Sequence, residues 1–333
     1  MQKKSLVTGG AGFIGSHVVR HLLDLHHEVV VLDDLSGGFE ENIPNGAIFC
    51  QGSILDVALV NSLFEKHSFD YVYHLAAYAA EGLSHFIRRF NYENNLIGSM
   101  NLINASVNFG IKCFVFTSSI AVYGTNELPY AENQHPHPED PYGIAKYAVE
   151  MDLKCTHSLF GLNYIIFRPH NVYGSHQHIA DKYRNVIGIF MHQVLNNQPL
   201  QIFGDGEQAR AFTHISDVAP AIACSVENPK AYNEVFNIGV DEATTVNQLA
   251  EWVLKTMGVE GEVEHVEARQ EVTHAVASHE KFRQVFDTKP GISLEDGLLE
   301  MATWVNSVAS RKRTNFKGIE IEKNLPNTWK TAL

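Results

Sequence analysis

The chain has 333 residues, 45% of them hydrophobic, and a formal net charge of -13. That length and apolar content suffice for one large or two modest globular domains with a substantial core. The acidic balance argues against a broad phosphate-backbone footprint and so against nucleic acid as a partner, although a local arginine pocket could still hold a diphosphate.

Cys50, Cys113, Cys155 and Cys224 lie far apart with no C-x-x-C pair, so neither a disulfide framework nor a structural zinc site is expected. A reducing cytoplasm fits this usage. No run of 18 apolar residues occurs, and the N-terminal Met1-Gln2-Lys3-Lys4 passes directly into a short apolar strand. A soluble, unprocessed chain with no membrane partner is the expectation.

From Ser5 to about Gly124 the pattern alternates strand and helix. Ser5–Thr8 is a short apolar run, Phe13–Leu25 has helical apolar spacing, and Glu28–Leu32 is apolar again. Further strands are expected at Ala47–Phe49, Tyr71–Leu75, Cys113–Thr117 and Tyr164–Phe167, with helices near Leu55–His67, Asn95–Phe109 and from Tyr142. Such a series predicts an α/β fold, a Rossmann-type doubly wound parallel sheet covered on both faces. The expected dinucleotide-binding domain spans 1–168. After Arg168 the texture becomes polar and rich in His and Asn, then a helix Val186–Leu195, short strands, and a last amphipathic helix Leu294–Val308 follow. This predicts a smaller α/β substrate-binding domain over 169–333, with part of 213–239 returning to the first domain. The tail Ile319–Pro326 alternates like a strand, but a simple docked tail is the expected outcome.

Gly9, Gly12 and Gly15 fall between the first strand and the first helix. Glycines there let the chain turn tightly and bring a pyrophosphate against backbone N–H groups at a helix N-terminus. Asp33 closes the second strand, where a carboxylate can accept the ribose hydroxyls and repel a 2′-phosphate, and Asp34 and Ser36 beside it offer no compensating cation. NAD is favoured over NADP. Farther on, Tyr142 and Lys146 are four residues apart, on one face of a helix. An ammonium there would lower the phenol's pKa and suit it to general-base work. Spacing alone would not decide this, since ordinary helical Tyr/Lys pairs are common.

These segments resemble the extended short-chain dehydrogenase/reductases, and within them the nucleotide-sugar 4-epimerases. The likeness runs through Thr8–Ser16, Asp33, His74–Ala77, Asn94-Asn95, Ser118–Gly124, Tyr142-x-x-x-Lys146, Arg168–Gly174 and Ile202–Gly206. It implies an NAD-dependent isomerase acting on a nucleotide-diphosphate sugar, with Ser119, Tyr142 and Lys146 as catalytic residues. It further implies cofactor contacts from Gly9, Gly12, Phe13, Ile14, Gly15, Asp33, Asp34, Ser53, Ile54, Leu75, Ala76, Ala77, Asn95 and Thr117, besides Tyr142 and Lys146. Substrate contacts are implied for Tyr78, Ser119, Tyr142, His170, Asn171, Arg184, Asn185, Val186, Gln201, Phe203, Arg210 and Arg269. Relatives pair through the helices that contain Asn95–Phe109 and Tyr142–Ser158, so a homodimer is implied as well.

The residues after Ser119 separate related chemistries. The 4,6-dehydratases that these segments resemble follow the hydroxyl with Asp-Glu, decarboxylases keep the Glu, and 3,5-epimerases carry a Cys near Ala121. Ile120 and Ala121 supply no acid or base. Epimerisation at C4 through a 4-keto sugar is therefore favoured, for a UDP-glucose/UDP-galactose pair or a UDP-hexuronate. The same residues would serve a net C4 oxidase or ketoreductase, and a catalytically silent dinucleotide-binding scaffold is the reading from another class.

Several departures from the family pattern carry their own expectations. Ser53 stands where an Asp usually receives the adenine amino group, Tyr78–Glu81 lacks a basic residue, and Arg210-Ala211-Phe212 replaces Arg-Asp-Phe. The charged loop His176–Asn185 offers Lys182 and Arg184 to a hexuronate carboxylate. Among 18 histidines, the pairs His135/His137 and His176/His178 sit on loops, where solvent exposure is expected and a metal is not.

Overall fold

The computed structural model describes residues 2–268, 274–286, 291–308 and 318–330. Strand β1 (Lys4–Thr8) runs into the glycine turn and helix α1 (Phe13–Asp24), then β2 (Glu28–Asp33), β3 (Ile48–Gln51), α2 (Val57–His67) and β4 (Tyr71–His74). Two short helices, α3 (Glu81–Ser84) and α4 (Arg88–Tyr92), lead through a π-helical turn at Glu93–Ile97 into α5 (Gly98–Asn108). The helix expected from Asn95 thus starts as a wider turn, because the Asn95 amide bonds Tyr78 instead of facing solvent. β5 (Cys113–Thr117), α6 (Pro141–Phe160) and β6 (Tyr164–Pro169) complete the first run.

Helix α6 has clear end signals. Asp140 accepts the Gly143 N–H as N-cap, Pro141 occupies the first turn, and Gly161 closes the helix at φ 75°.

The second half contains β7 (Val172–Tyr173), α7 (Val186–Leu195), β8 (Leu200–Phe203), β9 (Ala209–Ala211), β10 (Thr213–His214), α8 (Ile215–Cys224) and β11 (Glu234–Ile238). β12 (Ala243–Thr245), α9 (Val246–Met257), β13 (Val263–Val266), β14 (His274–Ala275), α10 (Glu280–Val285), α11 (Leu294–Ser307) and α12 (Asn327–Lys330) follow.

The central sheet has seven strands in the order β11-β6-β5-β4-β1-β2-β3. Every pairing in it is parallel. Alternation within β1 sends Leu6 to one face, with Phe64, Phe114 and Val149, and Val7 to the other, with Val18, Ile222 and Phe236. Burying each such side chain stabilises the fold by about 1.5–3 kcal/mol. Strand β11 pairs with β6, and α8 packs on α1, so this part of 213–239 lies in the first layer system. A third apolar cluster, around Phe190, Leu200, Leu249 and Met301, forms the core of the smaller lobe.

The strand order reverses between β4 and β1. In open α/β sheets that crevice, at the carboxyl ends of the strands, is where ligands settle. The tail forms no strand: Glu320 and Ile321 N–H groups both reach the Phe86 carbonyl, and α12 ends the described chain.

Candidate active site

A cavity of about 870 Å³ opens above the β1/β4 switch point and extends between the two lobes. At one end lie Gly9, Gly12, Phe13, Ile14 and Gly15. Gly9 has φ 74°, and a Cβ there would come within 2.7 Å of the Ala76 nitrogen. At Gly15 a Cβ would sit 2.0 Å from the Gly9 carbonyl oxygen. Only glycine permits this close passage of turn, β4 exit and helix. Gly12 is the N-cap of α1 and has no side chain to satisfy the first-turn amides, which leaves them to an anion.

Asp33 is held by its neighbours before any ligand arrives. Its carboxylate accepts the Ala11 N–H (3.0 Å) and the Leu35 N–H (2.8 Å). Burial pushes its pKa up, and those backbone bonds pull it back. Asp34, Ile54, Leu75, Ala76, Ala77 and Thr117 also line the cavity.

Two expected cofactor contacts stand elsewhere. Ser53 lies outside the cavity lining, with its hydroxyl accepting the Leu55 N–H (3.2 Å), while Gly52 and Ile54 on either side face in. Asn95 is also outside the lining: its side chain accepts from Tyr78 N–H (2.9 Å) and donates to Tyr78 O (3.1 Å), fixing the loop after β4. Its contact with the cavity is therefore indirect.

Ser119, Tyr142 and Lys146 all line the cavity and lie together, Ser119 hydrogen-bonded to Tyr142 and Lys146 Nζ 5.8 Å from the centre of the Tyr142 ring. Ser119 follows β5, and its Oγ accepts the Ala121 N–H (3.1 Å). Tyr142 stands on the first turn of α6, and Lys146 one turn on donates to Thr117 O (2.7 Å) over the Phe116 ring. Burial lowers the Lys146 pKa to about 7, against the pull of Glu150.

The expected drop in the phenol's pKa is corrected here. Burial pushes Tyr142 up; the hydrogen bond with Ser119 and, more weakly, the charge of Arg184 oppose it, while Glu81 and Asp140 add to the rise. The physical reason is desolvation in a closed cavity, with the Lys146 ammonium directed at the Thr117 carbonyl.

Beneath the trio, Glu150 accepts from Ser118 Oγ and from both Nε (2.9 Å) and Nη2 of Arg168, all of them buried. The Arg168 guanidinium also lies 4.7 Å over the Tyr123 ring.

The substrate-side residues fall into groups. Asn171, at φ 41°, donates to Ala211 O (3.2 Å). Asn185 caps α7 by accepting the Ile187 N–H (2.9 Å), and Val186 opens that helix. Gln201, Phe203 and Arg210 line the far end; Gln201 donates to Glu264 (3.2 Å), and Arg210 Nη1 donates to Ala209 O (2.9 Å). His170 lines the wall with its Nε2 2.8 Å from His279 Nε2, and His279 Nδ1 lies 2.6 Å from Asp241. Burial lowers the His170 pKa to about 3, so the ring is neutral. Arg269 lies outside the described residues.

His176 is half-buried and His178 buried, which corrects the exposure expected of that pair. His178 is buried with its ring 5.0 Å from Phe39, and His176 Nδ1 bonds Ser16 Oγ (2.9 Å), because the loop folds down on α1 and the segment after β2. His135 and His137 are exposed. Among the described residues no His, Cys, Asp or Glu group could hold a metal ion. Arg184 Nε lies 2.9 Å from Asp181 with its guanidinium 5.1 Å over Tyr78, and Lys182 donates to Trp329 O (3.2 Å).

Other lining residues escaped sequence reasoning. Ile189, Phe190 and Gln193 stand three, four and seven residues after Val186, a helical face that the periodicity of α7 could have revealed. Trp329 carries no such signal.

Fold and site together define a short-chain dehydrogenase/reductase of the extended type. A family model described as the NAD dependent epimerase/dehydratase family matches residues 5–239, and the chain belongs to that family. The UDP-glucose 4-epimerase of Thermotoga maritima, solved with UDP-glucose, superposes with a TM-score of 0.87 at 37% identity, covering 92% of this chain and 100% of that one. A UDP-glucose 4-epimerase of Streptomyces lividans is 32% identical over 78% of this chain and 82% of its own length. The UDP-glucuronic acid 4-epimerase of Bacillus cereus, solved with UDP-glucuronic acid and NAD, has a TM-score of 0.84 at 28% identity, covering 92% of this chain and 99% of that one.

Proposed function

We propose that the protein interconverts the C4 epimers of a UDP-hexose, with NAD held as a resident cofactor. The observation that carries this reading is the meeting of Ser119, Tyr142 and Lys146 in a cavity where the next residues, Ile120 and Ala121, bring no acid or base. The glycine turn, the uncapped α1 N-terminus and Asp33 fit a dinucleotide without a 2′-phosphate. Bound there, NAD would supply a reversible hydride acceptor and nothing else.

In this reading Tyr142 takes the proton of the sugar's 4-hydroxyl, and Ser119 holds the same oxygen by a hydrogen bond. C4 loses a hydride and becomes a ketone. Lys146, fixed by Thr117 O with its Nζ 5.8 Å from the centre of the Tyr142 ring, would hold the ribose of the bound dinucleotide, and the hydrogen bond from Ser119 is what favours the ionised phenol. Proton and hydride then return to the opposite face of the rotated 4-keto sugar, so atoms and electrons balance over one turnover. Asn185 and Arg210, both in the cavity lining, would keep the diphosphate anchored meanwhile. The two cations expected for a hexuronate carboxylate are engaged by Asp181 and Trp329 O, which favours a neutral hexose.

Incubation with UDP-, GDP- and CDP-sugars, without added NAD, tests the reading by NMR at C4. UDP-glucose and UDP-galactose are expected to interconvert. Failure of every 4-epimer pair would remove the proposal.

A homodimer is proposed on separate grounds. Helix α6 exposes Ile144, Met151 and Leu159 at spacings of about two turns, and Ile97 just before α5 is also exposed. Light scattering is expected to give twice the chain mass, and the pair Met151→Glu with Leu159→Glu to give the monomer. A monomeric wild-type protein would refute it. All four cysteines are free thiols, which supports a cytoplasmic setting.

A further inference from the structure

The C-terminal segment 318–330 crosses the surface and ends in the cavity wall. Its first anchor is Glu320, whose carboxylate accepts the Arg89 N–H (2.8 Å) and the Phe90 N–H (2.9 Å), first-turn amides of α4. A carboxylate at that end of a helix is doubly favoured, by the unsatisfied amides and by the helix dipole. The second anchor is apolar. Leu325 and Trp329 are buried among Tyr78, Ala80, Leu83 and Ile87.

Trp329 joins two walls that belong to different lobes. Its ring meets Phe86 edge-on at 6.0 Å and Tyr183 edge-on at 5.1 Å. Its carbonyl accepts from Lys182, and its Cη2 lies 3.5 Å from the position a Cβ would take at Gly82. Gly82 and Trp329 both line the cavity, beside Glu81. That wall stands next to the catalytic phenol: Tyr78 packs in the same apolar cluster as Trp329, and Glu81 and Gly82 share the cavity lining with Asp140 and Tyr142. Ser84 at the end of α3 also reaches Asp140, the N-cap of the helix bearing Tyr142.

We propose that Trp329 is a specificity-determining wall of the sugar subsite, carried there by the C-terminal strap, where it closes the space beside the hexose ring and limits the bulk admitted. The proposal rests on the nucleotide-sugar reading, but not on turnover. With only 4% of its surface exposed, the indole acts as a rigid boundary of the subsite, held in place by its ring contacts.

The test is calorimetric binding of UDP and of UDP-glucose to the full-length wild-type protein, Trp329→Ala, Trp329→Phe and Glu320→Ala, with UDP-N-acetylglucosamine as the bulkier ligand. Trp329→Ala is expected to weaken UDP-glucose about tenfold or more while UDP is unchanged. Its preference should shift toward the N-acetyl sugar. Trp329→Phe should retain most of the discrimination, and Glu320→Ala, remote from the ligand, should lose part of it by loosening the strap. Equal affinities of wild type and Trp329→Ala for UDP-glucose, relative to UDP, would overturn the proposal. Should binding shift as expected while the wild type epimerises no sugar, the 4-epimerase reading falls and the wall remains.

Discussion

Tyr142→Phe is expected to lower kcat by about a thousandfold, the usual order for loss of a positioned general base. Bound NAD, read from the absorbance of the protein supernatant after denaturation, should stay near the wild-type content, because the glycine turn and Asp33 are untouched. Ser119→Ala gives the complementary signature. The hydrogen bond with Ser119 pulls the Tyr142 pKa down against burial, so deleting it leaves the pKa higher. The rising limb of the pH–rate profile should accordingly move to higher pH. Turnover of Tyr142→Phe at the wild-type rate would refute the assigned role of the phenol.

The second large effect concerns stability. Glu150→Ala leaves the Arg168 guanidinium buried without its carboxylate, beneath the catalytic trio. Breaking such a pair from one side costs about 3–5 kcal/mol, seen as a lower midpoint in urea. The double change Glu150→Leu with Arg168→Met should recover most of that loss, since apolar residues of similar volume replace a buried ion pair at little net cost. A single Glu150→Ala variant as stable as wild type would show that the pair contributes little.

How far the molecule could be read in advance differs by the range of the interactions involved. Strands β1, β2, β4, β5 and β6 and helices α1, α6 and α7 are legible because their apolar spacing and caps are local; Val186–Leu195 is bounded in the structure as periodicity predicts. The approach of Tyr142 to Lys146 follows from one helical turn, whereas Ser119 joins them from the end of β5 and was expected only through the family resemblance. What depended on distant partners was not legible. Burial of His178 requires Phe39, the engagement of Arg184 requires Asp181 and Tyr78, and the arrival of Trp329 requires a groove made by α3 and Tyr183. The direction of the Tyr142 shift belongs to the same kind. Four-residue spacing reports proximity to Lys146, but the degree of desolvation is set by the whole enclosure.

The return of β11 to the central sheet has a consequence for how the molecule holds together. The chain leaves that sheet at Pro169 and re-enters it at Glu234, so residues 170–233 are spliced into the dinucleotide-binding half and not appended after it. Phe236 and Ile222 from this later stretch fill the same core as Val7 and Val31. Side chains from before and after the splice therefore share one apolar core, and the cavity lies between segments tied together through it.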